Sequence, residues 1–197
     1  MRFRFLYFLS VLFVAFAFTE SMAQRRPQNV PFVNEQTEKP LTDLEVFQNL
    51  YGVALIKGYT DLPRVRGTNG FLQVSILDFR SAGTASRLKG VMVEVTIGER
   101  LNEKARSFIE YGELDNLIKG ITYVSKVDKG VTTLQSLEAA YTTKGEFSIS
   151  NFFGFQGDTR VAVTAGRYEQ KTVILDSTAQ TTLLAQFQQA KSTLDEF

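Results

Sequence analysis

Two hydrophobic periods follow each other along this chain, and the same order of periods occurs twice. In the first half, apolar residues alternate with polar ones from Phe71 to Phe79 and from Leu88 to Ile97. A period of two is typical of a β-strand with one buried face. From Leu114 to Val127 the apolar residues follow helical spacing instead. The pattern predicts antiparallel strands followed by an amphipathic helix, which is the α+β class.

Weaker signals complete this order in both halves. A capping box at Thr42 and Glu45 predicts a short helix ending near Leu50. A second capping box, at Ser177 and Gln180, predicts that the last helix starts at Asp176 or Ser177. Further strands are predicted at Val53–Tyr59, Lys104–Glu110, Thr133–Thr143, Glu146–Phe153, Thr159–Ala165 and Lys171–Asp176.

The two halves align at a constant offset, which suggests pseudo-repeats over about residues 51–130 and 131–197. Phe108-Ile109-Glu110 matches Ile174-Leu175-Asp176. The helical residues Leu117, Ile118 and Ile121 match Leu183, Leu184 and Phe187. Chance resemblance between amphipathic segments is the alternative. The expected fold is two ββββα repeats that form two antiparallel sheets with packed helices, as one cooperative domain. Gly120, inside a helix, indicates close packing against a sheet.

The amino terminus has the layout of a secretory signal. Arg2 and Arg4 precede an apolar stretch from Phe5 to Phe18, and small residues lead to Ala23. The stretch is shorter than the ~20 residues that span a bilayer as a helix. We therefore expect a signal peptide over 1–23 and export to the periplasm or the medium, with no transmembrane segment after its removal. An uncleaved anchor is the alternative.

Residues 24–41 are rich in polar residues and proline, and we interpret them as a flexible spacer before a single domain over 42–197. A docking peptide at Val30-Pro31-Phe32-Val33 is the alternative for this segment.

The residue types that the chain lacks restrict its chemistry. It contains no cysteine and no histidine, which removes disulfides, thiolate and histidine metal sites, and histidine-based triads. Its hydrophobic core must therefore stabilise it without disulfides. Without Arg2, Arg4 and Glu20, basic and acidic residues are equal in number, which disfavours nucleic acid as a partner. We expect no catalytic residue, cofactor or metal.

Three groups of residues are candidates for a function. Phe152, Phe153 and Phe155 form an aromatic cluster that predicts either a binding patch or an edge of the core. A basic run predicts anion contacts or solvated strand ends, and consists of Lys57, Arg64, Arg66, Arg80, Arg87 and Lys89. Four glutamates could supply hydrolytic carboxylates if the fold brings two together: Glu94, Glu99, Glu103 and Glu110.

The order of four strands and a helix, repeated from Val53 to Phe197, resembles the Whirly and PUR-type nucleic-acid-binding folds. That resemblance implies two sheets with packed helices, and it matches no binding motif. The chain is also similar to uncharacterised secreted bacterial proteins built from a signal, a polar spacer and one domain. The leading hypothesis is an exported, non-catalytic binding or structural module, with an envelope protein or surface polymer as partner. The alternatives are a single-stranded nucleic-acid-binding protein and, third, a carboxylate-based hydrolase.

Overall fold

The computed structural model describes residues 39–83, 85–98, 103–153 and 159–197 of the chain. The predicted signal peptide and all but the last residues of the predicted spacer lie outside these ranges. Within them the α+β prediction is confirmed, because two antiparallel sheets of five and four strands pack with three helices.

The first helix, α1 (Asp43–Gln48), begins at the predicted capping box. The Thr42 hydroxyl accepts a hydrogen bond from the Glu45 main-chain N–H at 3.1 Å, and the Thr42 N–H donates to the Glu45 carboxylate at 2.7 Å. Two main-chain N–H groups at the amino-terminal end of the helix thereby have hydrogen-bond partners nearby in sequence. Leu44 and Phe47 are buried on one side of the helix.

Sheet 1 is an antiparallel meander in which β1, β3, β4 and β5 lie side by side. A two-residue strand, β2, also pairs with β3, and sequence reasoning missed it because so short a strand has no period. Leu72, Val74 and Ile76 face the core, as the alternation predicts. The strands are β1 (Leu55–Asp61), β2 (Val65–Arg66), β3 (Gly70–Ser81), β4 (Arg87–Ile97) and β5 (Glu103–Glu110).

Sheet 2 is also a meander, in the order β6-β7-β8-β9. The helix α2 (Leu114–Lys126) precedes it and α3 (Ser177–Asp195) follows it. The predicted strand from Thr133 begins only at Leu137, after a short 3-10 helix and a bend. The strands are β6 (Leu137–Thr142), β7 (Ser148–Phe153), β8 (Thr159–Ala165) and β9 (Lys171–Leu175).

The cap of α3 differs from the prediction. Asp176, rather than Ser177, is the N-cap, and its carboxylate accepts a hydrogen bond from the Ala179 N–H at 2.7 Å. Aspartate and serine both favour this position, so the sequence alone did not distinguish a start at either residue.

One hydrophobic core contains the inner faces of both sheets together with α2 and α3. Each of these helices contacts the sheet of the other half: α2 packs on β6 and β7, and α3 packs on β2, β3 and β4. The helix α3 also contacts β8 and β9. Neither half therefore has a core of its own, because each sheet is covered by a helix from the other half.

The matched helical positions have matched burial. Leu117 and Leu183 are fully buried, as are Ile121 and Phe187. The third matched pair, Ile118 and Leu184, is only partly buried at the edge of the core. The burial pattern agrees with a repeat, and the duplication itself stays a prediction.

Gly120 of α2 packs against sheet 2, as expected from its place inside a helix. A Cβ atom at this position would lie 2.3 Å from the Tyr141 ring on β6. The absence of a side chain thus allows the helix to approach the ring.

Candidate functional site

The outer face of sheet 1, which points away from the core, carries a groove of about 430 Å³. It exists because α1 covers only one end of this face, over Leu77, Phe79 and Phe108. At the other end of this face, the alternating residues of the strands are charged or polar. The charged and polar residues that line the groove are Gln48, Lys57, Tyr59, Asp61, Arg64, Gln73, Ser75, Glu94, Lys104 and Arg106. Its apolar lining consists of Met92 and the three residues under α1.

Glu94 of β4 lines the groove and lies between two cations of the neighbouring strand β5. Its carboxylate accepts hydrogen bonds from Lys104 Nζ at 2.8 Å and from Arg106 Nε at 2.7 Å. Burial opposes ionisation of Glu94, but these two hydrogen bonds outweigh it and hold its pKa below the ordinary value. The two positive charges exceed the single negative charge of Glu94, and the side chains of Lys104 and Arg106 remain about half exposed.

Three cations on this face form no ion pair within the described residues. The Lys57 ammonium lies 5.6 Å from the centre of the Phe79 ring. The Arg64 guanidinium lies 4.5 Å from the centre of the Phe71 ring. Arg66 is exposed on β2, opposite Phe71 in the strand register. Ring contacts of this kind orient a cation without neutralising its charge.

The other three members of the predicted basic run do not belong to this face. Arg80 and Arg87 both donate hydrogen bonds to the Asp78 carboxylate, at distances from 2.6 to 3.1 Å. The hydrogen bond from Arg87 is the main cause that lowers the pKa of Asp78. Lys89 Nζ donates to the Leu194 carbonyl at 2.9 Å.

Lys89 and Arg87 hold the carboxyl end of α3 against the hairpin of β3 and β4. Arg87 also donates to the Phe197 carbonyl at 3.0 Å. Cations near the last carbonyls of a helix stabilise its end. Arg87 and Lys89 therefore have a structural role in this fold, and the six-residue basic run divides into two groups with different surroundings.

The predicted aromatic patch is divided between the two faces of β7. Phe152 lies opposite Glu138 and Arg160, and its neighbour Phe153 lies opposite Leu137. Both rings are half-buried. Phe155 lies outside the described residues. The patch stays a prediction.

A second groove, of about 580 Å³, lies beside α1 and is largely apolar. Val46, Leu50 and Val53 contribute to it, and each is at least 40% exposed. The neighbouring Tyr51 is 95% exposed. Nothing in the structure indicates what covers this groove.

The candidate hydrolytic carboxylates form separate ion pairs. Glu94 binds Lys104 and Arg106. In contrast, Glu103 binds Lys171 and Glu110 binds Lys144. Glu99 lies outside the described residues. In the part of the chain that the structure describes, no cluster of acidic residues could hold a metal ion, and no helix is long and apolar enough to cross a membrane.

Sequence reasoning missed Lys104 and Arg106 as members of the site. Both alternate with buried residues along β5, which is a detectable signal for one exposed face. Their position beside Glu94 depends on the pairing of β4 with β5, which the sequence does not state.

Comparison of the chain with protein-family models, with curated proteins and with solved structures found no match.

Proposed function

We propose that the protein is an exported, non-catalytic binding module that holds an acidic polysaccharide of the cell surface on the outer face of sheet 1. The observation that carries this proposal is the cluster of Lys57, Arg64 and Arg66, which no carboxylate among the described residues neutralises. A polyanion supplies the missing negative charge.

The shape and charge of the face suit an extended polymer. The groove is open and runs across several strands. Lys104 and Arg106 add to the three cations on this face. Among the described residues, Asp61 and Glu94 are the carboxylates that line the groove. This local excess of positive charge exists although the whole chain has a formal net charge of only +1. A local excess of cations on one face attracts a polyanion.

The aromatic content favours a polysaccharide over a nucleic acid. Tyr59 is 71% exposed, whereas Phe79 and Phe108 are buried under α1. Single-stranded nucleic acids are held by several aromatic platforms for successive bases, and this groove has one exposed ring among its described residues. The Asp61 carboxylate accepts a hydrogen bond from the Ser75 hydroxyl at 2.6 Å, and its second oxygen can accept one from a sugar hydroxyl.

Export rests on the amino-terminal layout, which lies outside the described residues. The sequence predicts cleavage between Ala23 and Gln24. Mass spectrometry of the intact protein recovered from a bacterial host tests this. A mass that begins at Gln24, in periplasm or medium, supports export, and an uncleaved protein in the cytoplasm contradicts it.

Single-stranded nucleic acid is the second candidate ligand. The cationic face beside the exposed Tyr59 favours it, and the element order resembles folds that bind such strands. Binding would fall steeply with salt in both cases, because each ligand is a polyanion. The two candidates are separated by direct competition between the polymers.

The binding experiment uses alginate, a linear polyuronate, and an oligothymidylate as probes. Arg64→Gln with Arg66→Gln should weaken alginate binding about tenfold, since two ionic contacts are lost. Lys119→Gln with Lys126→Gln is the matched control, because it removes the same charge from the exposed side of α2.

Equal losses in both double variants would show that the face is not the site. Tighter binding of the oligothymidylate than of alginate would replace the proposed ligand by the second candidate. Failure of the purified protein to bind either polymer at low salt, or cleavage of a polymer by it, overturns the proposal.

A further inference from the structure

The strand β1 is an open edge of sheet 1. Among the described residues it pairs with β3 alone, and every residue from Ile56 to Asp61 is exposed. Tyr59 is 71% exposed and Ile56 is 58% exposed. An open edge of this length offers a row of free main-chain groups to another strand.

Two other edges of the sheets are covered by turns. Along β9, the Thr68 N–H donates to the Ile174 carbonyl at 2.8 Å, and the Asn69 side chain bonds the main chain of Thr172 and Ile174. Along β5, Gly145 lies so close that a Cβ atom there would be 1.8 Å from the Phe108 carbonyl oxygen. The edge of β1 has no comparable cover among the described residues.

The hydrogen-bond phase of β1 shows which groups are free. The Ala82 N–H donates to the Ala54 carbonyl, and the Leu62 N–H donates to the Val74 carbonyl, both at 2.8 Å. Even-numbered residues of β1 are therefore the hydrogen-bonded partners of β3. The main-chain groups of Lys57, Tyr59 and Asp61 point away from the sheet, since bonding direction alternates along an antiparallel strand.

The side chains of these same three residues are self-complementary. In an antiparallel pair with its two-fold axis at Tyr59, Lys57 of one copy lies opposite Asp61 of the other, and the two Tyr59 rings face each other. Opposite charges and aromatic pairs at facing positions stabilise antiparallel strands. An axis at Lys57 would instead oppose two lysines. An axis at Gly58 would place Asp61 opposite Leu55.

We propose that a second copy of this chain pairs with β1 edge to edge, antiparallel, about a two-fold axis at Tyr59. The two five-stranded sheets become one continuous sheet, and their cationic outer faces lie side by side. The contact is an isologous interface, in which the same segment is used by both copies. Few residues take part, so the dimer is weak and forms in a concentration-dependent way.

The first test uses a cysteine at the axis. The chain contains no cysteine, so any disulfide of Tyr59→Cys joins two copies. Facing residues of a hydrogen-bonded pair have Cα atoms about 5.5 Å apart, within the range of a disulfide. Ala140→Cys is the matched control, because Ala140 is exposed on β6, whose free edge carries a single charge at Glu138.

We expect the Tyr59→Cys protein to form covalent dimers on air oxidation at least about tenfold faster than the control, judged by non-reducing electrophoresis. Equal rates for the two variants overturn the proposed axis.

The second test exchanges the charges. Lys57→Asp and Asp61→Lys should each raise the dissociation constant of the dimer about tenfold in sedimentation equilibrium. The variant with both changes restores the opposite-charge pairs and should regain dimerisation. A wild-type protein that stays monomeric at high concentration, or a double variant as weak as the single ones, overturns the proposal. Lys57 also belongs to the cationic cluster, so polysaccharide binding is tested with the Arg64 and Arg66 variants, which leave β1 unchanged, and either proposal fails on its own.

Discussion

Sheet 1 and sheet 2 contribute alternate residues to one core, but their outer faces differ. On sheet 1, Leu77, Phe79 and Phe108 lie on the outer face, and α1 covers them. On sheet 2, the corresponding face carries small and hydroxyl-bearing side chains such as Ser150 and Thr164, with no helix over them among the described residues. A second face acquires large apolar residues where another element packs on it. The five-stranded sheet is thus the one that combines a covered and an open region on the same face.

The largest expected effect comes from removing the element that both sheets share. Deleting Ser177–Phe197 should unfold sheet 1 together with sheet 2, because α3 packs against strands of both. Removing α1 should leave both sheets folded, since it covers only the outer face of sheet 1. Circular dichroism and amide NMR spectra of the two truncated proteins provide the measurement. A folded sheet 1 without α3 would show that the halves are independent.

A smaller effect of the same kind is expected from single core residues. Phe187→Ala should lower the free energy of unfolding by about 3–5 kcal/mol, because Phe187 is fully buried against Phe147 in the shared core. Phe47→Ala should cost about 2–3 kcal/mol, since the smaller outer cluster can collapse onto the space. Denaturant titration of both variants checks this. If Phe47→Ala lowers the free energy of unfolding as much as Phe187→Ala does, the outer cluster is as important to the fold as the core.

The ion pair between Glu45 and Arg167 connects α1 to the turn before β9. The Arg167 guanidinium lies 2.8 Å from the Glu45 carboxylate, and both side chains are largely buried. Glu45→Gln should destabilise the protein by about 1–3 kcal/mol, because Arg167 loses its countercharge. Arg167→Gln should cost a similar amount. Thermal melts at neutral pH measure both.

The effect of Glu45 should depend on pH. Burial acts to raise its pKa, but the bonds from Arg167 and Thr42 outweigh this and hold the pKa below the ordinary value of 4.5. The stabilisation is therefore complete above pH 4.5 and is lost as the pH falls through the lowered pKa. The stability difference between wild type and Glu45→Gln should shrink in this acidic range. A constant difference would show that the pair contributes no ionic stabilisation.

The smallest expected effect tests the contact of α2 with sheet 2. Gly120→Ala should destabilise the protein by about 1 kcal/mol, because overlap with the Tyr141 ring exceeds the gain in helix propensity. Adding Tyr141→Ala should make the glycine replacement favourable, since the obstructing ring is gone. Denaturant titrations of the two single variants and the double variant measure the coupling. A stabilising Gly120→Ala in the wild-type background would contradict the close approach.

Local signals predicted most of the elements but only part of the candidate site. The capping box at Thr42, the alternation along β3 and the packing role of Gly120 all depend on neighbours in sequence, and the structure confirms them. The N-cap of α3 at Asp176 was one of two equivalent choices. The pairing of Glu94 with Lys104 and Arg106 was not predictable, because it depends on which strand lies beside β4.

The basic run shows the same limit most clearly. Lys57 and Arg64 lie on the open face, whereas Arg87 and Lys89 hold the end of α3. Their spacing along the chain contains no information about this division. The division arises because these cations lie on opposite faces of sheet 1 and because α3, which is distant in sequence, packs against one of those faces.

The amino-acid sequence by itself determined the class of the fold, the absence of cysteine and histidine chemistry, and the order of the longer strands and helices. These features follow from residue types and from hydrophobic periods that involve only residues close in sequence. Only the tertiary structure decided that each helix packs on the other half's sheet, that α1 covers one end of an outer face, and that β1 is left open. Those outcomes depend on burying apolar surface between segments far apart in the chain, which no local pattern encodes.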